Sequence, residues 1–224
     1  MKKLKMLAVA LGTVVVTSSA LAVPTLTIWD AALTTTVAAV GGIANYVNSA
    51  FDSGQWSIVI STAETKPAIG SALAPVMDLS VQATSLGGGR NLNVSWSDNA
   101  FGPFNSAIGA KLTGQVVSGT GSTVLYKTYY DTANTVSAGG TINGTATQYT
   151  TSGLLAAPIY FSTVNGATIN NSAFALTELL TITSVPGGSY SLDASLSGVP
   201  DGGTTVMLLG AALSGLAILR RKMA

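Results

Sequence analysis

Residues 77–97 read MDLSVQATSLGGGRNLNVSWS, and this stretch decides the fold class. Met77, Leu79, Val81 and Ala83 alternate with Asp78, Ser80, Gln82 and Thr84. Beyond Gly87-Gly88-Gly89, the apolar Leu92, Val94 and Trp96 alternate with Asn91, Asn93, Ser95 and Ser97. A period of two is that of a strand with one face on a core. The glycines between can take positive φ without a Cβ penalty. The stretch therefore predicts an antiparallel hairpin, apolar on one face and wet on the hydroxyl and amide face.

The same pattern recurs on both sides. Residues 25–30 alternate as an opening strand, and residues 55–61 form another after the Asp52-Ser53-Gly54 turn. Residues 31–44 are rich in Ala, Val and Thr, so helix and strand readings compete there, and residues 64–74 read as loop around Pro67 and Gly70. Asp98-Asn99-Ala100-Phe101-Gly102-Pro103 carries turn chemistry. Residues 111–117 and 122–130 predict a further strand pair around Ser118-Gly119-Thr120-Gly121, and residues 145–150 and 159–164 two more strands. Finally Phe174, Leu176, Glu178, Leu180 and Ile182 share one face of a strand. Pro186-Gly187-Gly188 turns it into Tyr190, Leu192, Ala194 and Leu196. The expected fold is all-β, an antiparallel β-sandwich of about nine or ten strands, since one-sided apolar strands need a second layer.

Composition narrows the function classes. The chain has neither Cys nor His, which removes Ser-His-Asp and Cys-His catalysis, disulfides, and thiolate or imidazole metal sites. Only 8% of residues are charged, against about a quarter in ordinary proteins. Between residues 23 and 197, Lys66, Arg90, Lys111 and Lys127 face eight acids, so this body is mildly acidic and unsuited to nucleic acid.

The two ends read as targeting segments. Lys2, Lys3 and Lys5 precede an apolar run at residues 7–16, and Ala20-Leu21-Ala22 gives a small-x-small pattern with cleavage expected after Ala22. Residues 1–22 are thus a Sec-type signal peptide, residues 23–197 the exported β domain and residues 198–224 a C-terminal signal. In that last segment Val199-Pro200-Asp201-Gly202-Gly203 precedes an uncharged run, residues 204–219, which ends in Arg220-Arg221-Lys222. As a helix the run spans roughly 24 Å, short of a hydrocarbon core of about 30 Å, and its large apolar side chains favour insertion by about 3 kcal/mol. It is expected to be a marginal transmembrane helix with its basic stop on the cytoplasmic side. A plain membrane anchor is the competing reading.

Turn motif, marginal apolar helix and basic stop, in that order, resemble the PEP-CTERM class of bacterial sorting signals. The nearest variant reads Val-Pro-Asp-Ser-Gly, and Gly202 stands at its serine. The stretches FALTELLTITSVPGGSYSLDASLSGVPDGG, SWSDNAFGP and LYKTYYDTANT also resemble exported domains of that class. The resemblance implies recognition by an exosortase, a membrane-embedded processing enzyme, with Val199, Pro200, Asp201, Gly202 and Gly203 as the processing motif and Arg220, Arg221 and Lys222 as the stop. It also implies transient residence in the inner membrane, then the cell surface or a biofilm's extracellular matrix.

The remaining candidates in the domain are few. Asp98, Asp131, Glu178 and Asp193 are nominal carboxylates for glycoside hydrolysis, which needs two acids about 5–9 Å apart. Asp98 and Asp131 sit in turn sequences, and Glu178 stands out on an apolar face, where burial would raise its pKa; an edge or end-of-sheet position, with the carboxylate reaching water, is the competing and preferred reading. Asp98-Asn99 and Asp131-Thr132-Ala133-Asn134 offer oxygen ligands for calcium but lack the spacing of a high-affinity loop. Trp29, Trp56, Trp96, Tyr126, Tyr129, Tyr130, Tyr149 and Tyr160 could form a sugar-stacking surface, although Trp56 and Trp96 lie where core residues belong. Asn93, Asn143 and Asn170 begin sequons. The expectation is a non-enzymatic exported surface or matrix protein without cofactor or metal. A carbohydrate-binding module of the exopolysaccharide matrix is the alternative, to be recognised by exposed Trp or Tyr lining a groove.

Overall fold

The computed structural model describes residues 23–156, 159–164, 168–199, 209–210 and 212–214. Fourteen strands run β1 Thr25–Trp29, β2 Thr34–Ala38, β3 Ile43–Ala50, β4 Trp56–Glu64, β5 Val76–Ser85, β6 Asn91–Phe101, β7 Phe104–Ser106, β8 Ile108–Ser118, β9 Thr123–Asp131, β10 Thr147–Leu155, β11 Ile159–Val164, β12 Ile169–Asn171, β13 Phe174–Thr183 and β14 Ser189–Gly198. Two six-stranded antiparallel sheets have the orders β10-β9-β13-β6-β1-β2 and β11-β8-β14-β5-β4-β3, and β7 pairs with β12 separately. The sandwich is as expected, with four strands more. Ten match the segments read as strands; β2 comes from the ambiguous region 31–44, β3 starts at its end and runs on through residues given no strand reading, and β7 and β12 are a three-residue pair.

The connection after the opening stretch differs from expectation. β5 pairs with β4 and β14 in the second sheet, whereas β6 pairs with β1 and β13 in the first, so residues 86–90 form a corner between sheets. β8 and β9, expected as a pair, likewise lie in different sheets. Alternation alone is the same in both arrangements. In a hairpin the two apolar faces lie side by side; across a corner they meet in the core. Here Met77, Leu79 and Val81 are wholly buried, as are Leu92, Val94 and Trp96. Gly87, Gly88 and Gly89 are not in the left-handed region. Two of them serve close approach: a Cβ on Gly89 would lie 2.5 Å from Ser184 O, and one on Gly87 would strike the Gln55 side chain.

Three corners interlock at this end, which we term distal. Ser122 Oγ accepts from Tyr190 Oη at 2.6 Å and from Val185 N at 3.4 Å, while Ser118 Oγ donates to Gly187 O at 2.7 Å. The opposite end, the base, receives the chain at Val23 and releases it at Val199, which donates to Ala107 O. A strand as long as β6 sets the two ends about 35 Å apart.

The expected wet face also needs correction. On β6, Ser95 and Ser97 are buried, and Thr177 beside them on β13 is too. The segment 132–146 lies over them: Ser137 N donates to Ser97 Oγ at 2.9 Å, and Ser97 and Thr177 share a hydroxyl bond of 2.8 Å. Asp98 to Phe101, expected as a turn, continue β6 as strand.

Candidate functional site

The C-terminal signal joins the domain at Val199. Gly198 N donates to Pro75 O at 2.8 Å, Val199 N to Ala107 O at 2.9 Å, and Ser106 Oγ to Val199 O at 2.6 Å. Backbone pairing therefore persists through the first residue of the expected motif. Pro200, Asp201, Gly202 and Gly203, the stop residues Arg220, Arg221 and Lys222, and the cleavage residues Ala20 and Ala22 lie outside the described residues. Of the expected transmembrane helix, residues 209–210 and 212–214 are helical, with Leu209 and Leu213 exposed. Among the described residues no helix is long and apolar enough to cross a membrane.

The base holds a polar cluster built around Asp98. Asp98, 1% exposed at the end of β6, accepts from Lys66 Nζ at 2.6 Å, Thr65 Oγ1 at 2.8 Å and Asn99 N at 2.7 Å. Lys66 also donates to Asn99 O and stands 3.9 Å from the Phe101 ring centroid. Asn134 closes the cluster, accepting from Ala100 N at 2.6 Å through its side chain and from Asn99 Nδ2 through its carbonyl. The two turns read separately in the sequence thus meet; the carboxylate of Asp98 and the side-chain oxygen of Asn134 are taken up by protein donors, while Asn99 Oδ1 is buried without a partner. Asp131 is engaged in the same way, by Ala133 N, Thr135 N and Asn143 Nδ2. No group of three or more acids placed to hold a metal exists among the described residues. A cavity of about 570 Å³, walled largely by small residues such as Ala39, Gly42 and Ala72, opens beside Lys66 and Asp98.

The four carboxylates considered for hydrolysis do not share a cleft. Asp193 is exposed on the outer face of the second sheet, with Asp98 and Asp131 at the base. Glu178 is wholly buried between the sheets, where Tyr126 Oη meets its Oε1 at 2.6 Å and its Oε2 has no partner. Burial pushes its pKa up to about 8, with the Tyr126 bond opposing and the charges of Asp78 and Asp193 adding. Tyr126 is raised well above its ordinary value, by burial first and then by Glu178. Asp78, on the outer face with Asp193 and Glu64 nearby, is raised to about 6, chiefly by desolvation.

The aromatic candidates divide by depth. Trp56, Trp96 and Tyr126 are core residues, Tyr149 is buried, and Tyr160 is exposed on an edge strand. Trp29 is half-buried at the distal end, in a polar cluster that sequence reading missed. There Arg90 Nη1 donates to Asp52 Oδ2 at 2.6 Å and stands 4.0 Å from Asp30 Oδ2. Asp30 and Asp52 lie 22 residues apart in sequence and Arg90 far from both, so no local pattern signals them. Asp52 and Ser53 take positive φ in the turn that delivers the carboxylate. Desolvation first, then the closeness and charge of the Asp30 carboxylate, hold Asp52 above the usual carboxylate range, against the pull of Arg90.

Among solved structures the chain is similar to one of the carbohydrate-binding modules of the β-sandwich superfamily described as promiscuous in specificity, at 8% identity and TM-score 0.35 over 72% of this chain and 64% of that one. It therefore spans just under two thirds of that relative. It is also similar to TmCBM61 in complex with β-1,4-galactotriose, at 11% identity and TM-score 0.31 over 68% and 97% of the two chains. A third likeness, at 10% identity and TM-score 0.32 over 69% and 21%, is to the enzymatically active domain of tailspike protein 4 of bacteriophage CBA120. Scores this low carry no argument about what the chain binds. No curated protein matches. The informative match lies in the tail: residues 198–223 carry the VPDSG-CTERM motif, a PEP-CTERM-type C-terminal sorting signal.

Proposed function

We propose that this chain is an exported protein delivered to an exosortase-type enzyme by its C-terminal segment, and that its β domain is a non-catalytic component of the cell surface or extracellular matrix. The observation that carries the reading is the VPDSG-CTERM motif continuing directly from the last core strand. The layout of the domain supports it. Val23 and Val199 leave from the same end, so a chain held by its tail presents the distal loops outward. Hydrogen bonding through Val199 leaves the processing segment immediately beyond the folded body. The hydroxyl- and amide-rich exterior, with few charges, suits polysaccharide surroundings.

Intact-mass spectrometry tests this in cells with and without the sorting enzyme. The expected product begins at Val23 and loses the basic stop only when the enzyme is present. A chain that retains Ala224 in both backgrounds would overturn the reading.

A further inference from the structure

A cleft of about 450 Å³ lies at the distal end, on the outer side of the first sheet. Its walls are Trp29, Asp30, Gly89, Arg90, Asn91 and Asn93. Of the three tryptophans, Trp56 and Trp96 are wholly buried, and Trp29 alone reaches a surface. Register places it opposite Asn93 on β6, so ring and amide stand side by side. Asn93 Oδ1 accepts from Thr181 Oγ1 at 2.8 Å, which fixes the amide with its Nδ2 turned the other way. Asn91 is exposed at the rim.

The back wall carries an unsatisfied acceptor. Asp30 Oδ1 accepts from Ala32 N and Leu33 N at 2.8 and 2.9 Å, whereas Oδ2, fully buried, has no hydrogen-bond partner. Arg90 Nη1 is 4.0 Å away, too far for a direct bond, because Asp52 holds it at 2.6 Å. The guanidinium side chain stays 42% exposed, with further N–H groups available. A group seated beside this pair must accept from Arg90 and donate to Asp30 at once, which a hydroxyl does and an anion or an ammonium does not.

We propose that this cleft binds a neutral saccharide. The apolar face of a pyranose packs on Trp29, one hydroxyl bridges Arg90 and Asp30, and the amides of Asn91 and Asn93 take its neighbours. The cleft faces away from the end bearing the tail, so an occupied site and an engaged sorting signal do not obstruct each other. Binding therefore holds whether or not the tail is processed.

The test uses the full chain in detergent with neutral hexose hexasaccharides as probes, namely cello-, manno- and maltohexaose. With the other tryptophans buried, acrylamide quenching reports Trp29. At least one probe should protect it with a dissociation constant under about 1 mM. Asp30→Asn keeps the Oδ1 contacts and replaces the free oxygen, and should weaken binding about tenfold. Asn91→Ala, at an exposed position that cannot disturb folding, should weaken it about threefold. Trp29 left unprotected by every probe, or affinity unchanged in Asn91→Ala and in folded Asp30→Asn, would overturn the proposal. An unprocessed C-terminus in cells would sink the sorting reading and leave these measurements standing.

Discussion

Glu178 sits where a carboxylate is least welcome, opposite Trp96 and Thr128 in the middle strand of a sheet and closed off from water. Its neighbour Tyr126 has one proton and two acceptors in reach, Glu178 Oε1 at 2.6 Å and Ser195 O at 3.3 Å. A protonated carboxyl resolves this by donating to the phenol oxygen, which frees the phenol proton for Ser195. With a folded pKa of about 8 against an ordinary 4.5, the native state keeps a proton that the unfolded chain releases. Stability contributed by that proton is full below the unfolded value and is lost as pH rises through the folded one. Between about pH 5 and pH 8 the wild type should lose roughly 3 kcal/mol through this group. Glu178→Gln keeps an acceptor for Tyr126 but cannot ionise, so its urea-unfolding free energy should fall much less over that window, keeping only the smaller decline that Asp78, raised to about 6, contributes below about pH 7. A variant that tracked the wild-type slope would show that another group sets it. Lys66 and Asp98 present the opposite case, a charge pair matched in place. Lys66→Met would strand a carboxylate that is 1% exposed and should cost about 3 kcal/mol or more in the same assay. The apolar face carrying Glu178, in step with Phe174, Leu176, Leu180 and Ile182, was legible in the sequence; its complete burial was not, because an edge position that lets the carboxylate reach water carries the same pattern. Nor was its phenol partner, 52 residues away.

The strands themselves were legible for a simple reason. Each core strand alternates over enough residues for its period to emerge, and ten of the fourteen did so. β2 and β3 escaped because their sequences, TTTVA and IANYVNSA, do not alternate: β2 is exposed or half-buried throughout. What alternation could not supply was connectivity, since the strands of a hairpin and those of a corner carry the same pattern. The glycines distinguish them. In a tight hairpin their value is positive φ; here it is the missing Cβ, at Gly89 and not at Gly88, beside which there is open space. Gly89→Ala should therefore cost about 1–3 kcal/mol by driving a methyl into Ser184 O. Gly88→Ala should be neutral or stabilising by about 0.5 kcal/mol, through the unfolded state. Thermal melts of the two variants check the corner directly, because a hairpin would not place Ser184 against one of these glycines alone. The same corner builds the distal cleft: residues 86–90 bring Arg90 to Asp52 and Asp30, a convergence that no stretch of sequence contains.

The molecule as a whole leaves its sheet edges without electrostatic guards. The four edge strands of the two six-stranded sheets, β2, β3, β10 and β11, contain neither a charged residue nor a proline. Bulges interrupt the pairing of β3 and β10, but β2 meets β1 in unbroken register. Beside it Val40 is 84% exposed and Val47 73% exposed, so the side formed by β2 and β3 combines an open backbone edge with apolar surface. Proteins that must stay apart place lysine, proline or a twist at such edges. A domain whose edges lack these guards can instead use them to adhere to its own copies. Antiparallel pairing of β2 about Thr36 is self-complementary, since Thr34 then meets Ala38 of the other copy. The full chain in detergent should accordingly show concentration-dependent association in sedimentation velocity at tens of micromolar, roughly the range expected of a small edge contact. Thr36→Lys with Val47→Lys places two charges at exposed positions on these edges, so the fold and its melting temperature should hold while association weakens. If the double variant sediments as the wild type does, these edges do not make the contact. If instead both associate only while the tail is present, the apolar run at residues 204–219 is the adhesive element and the β domains are its passengers.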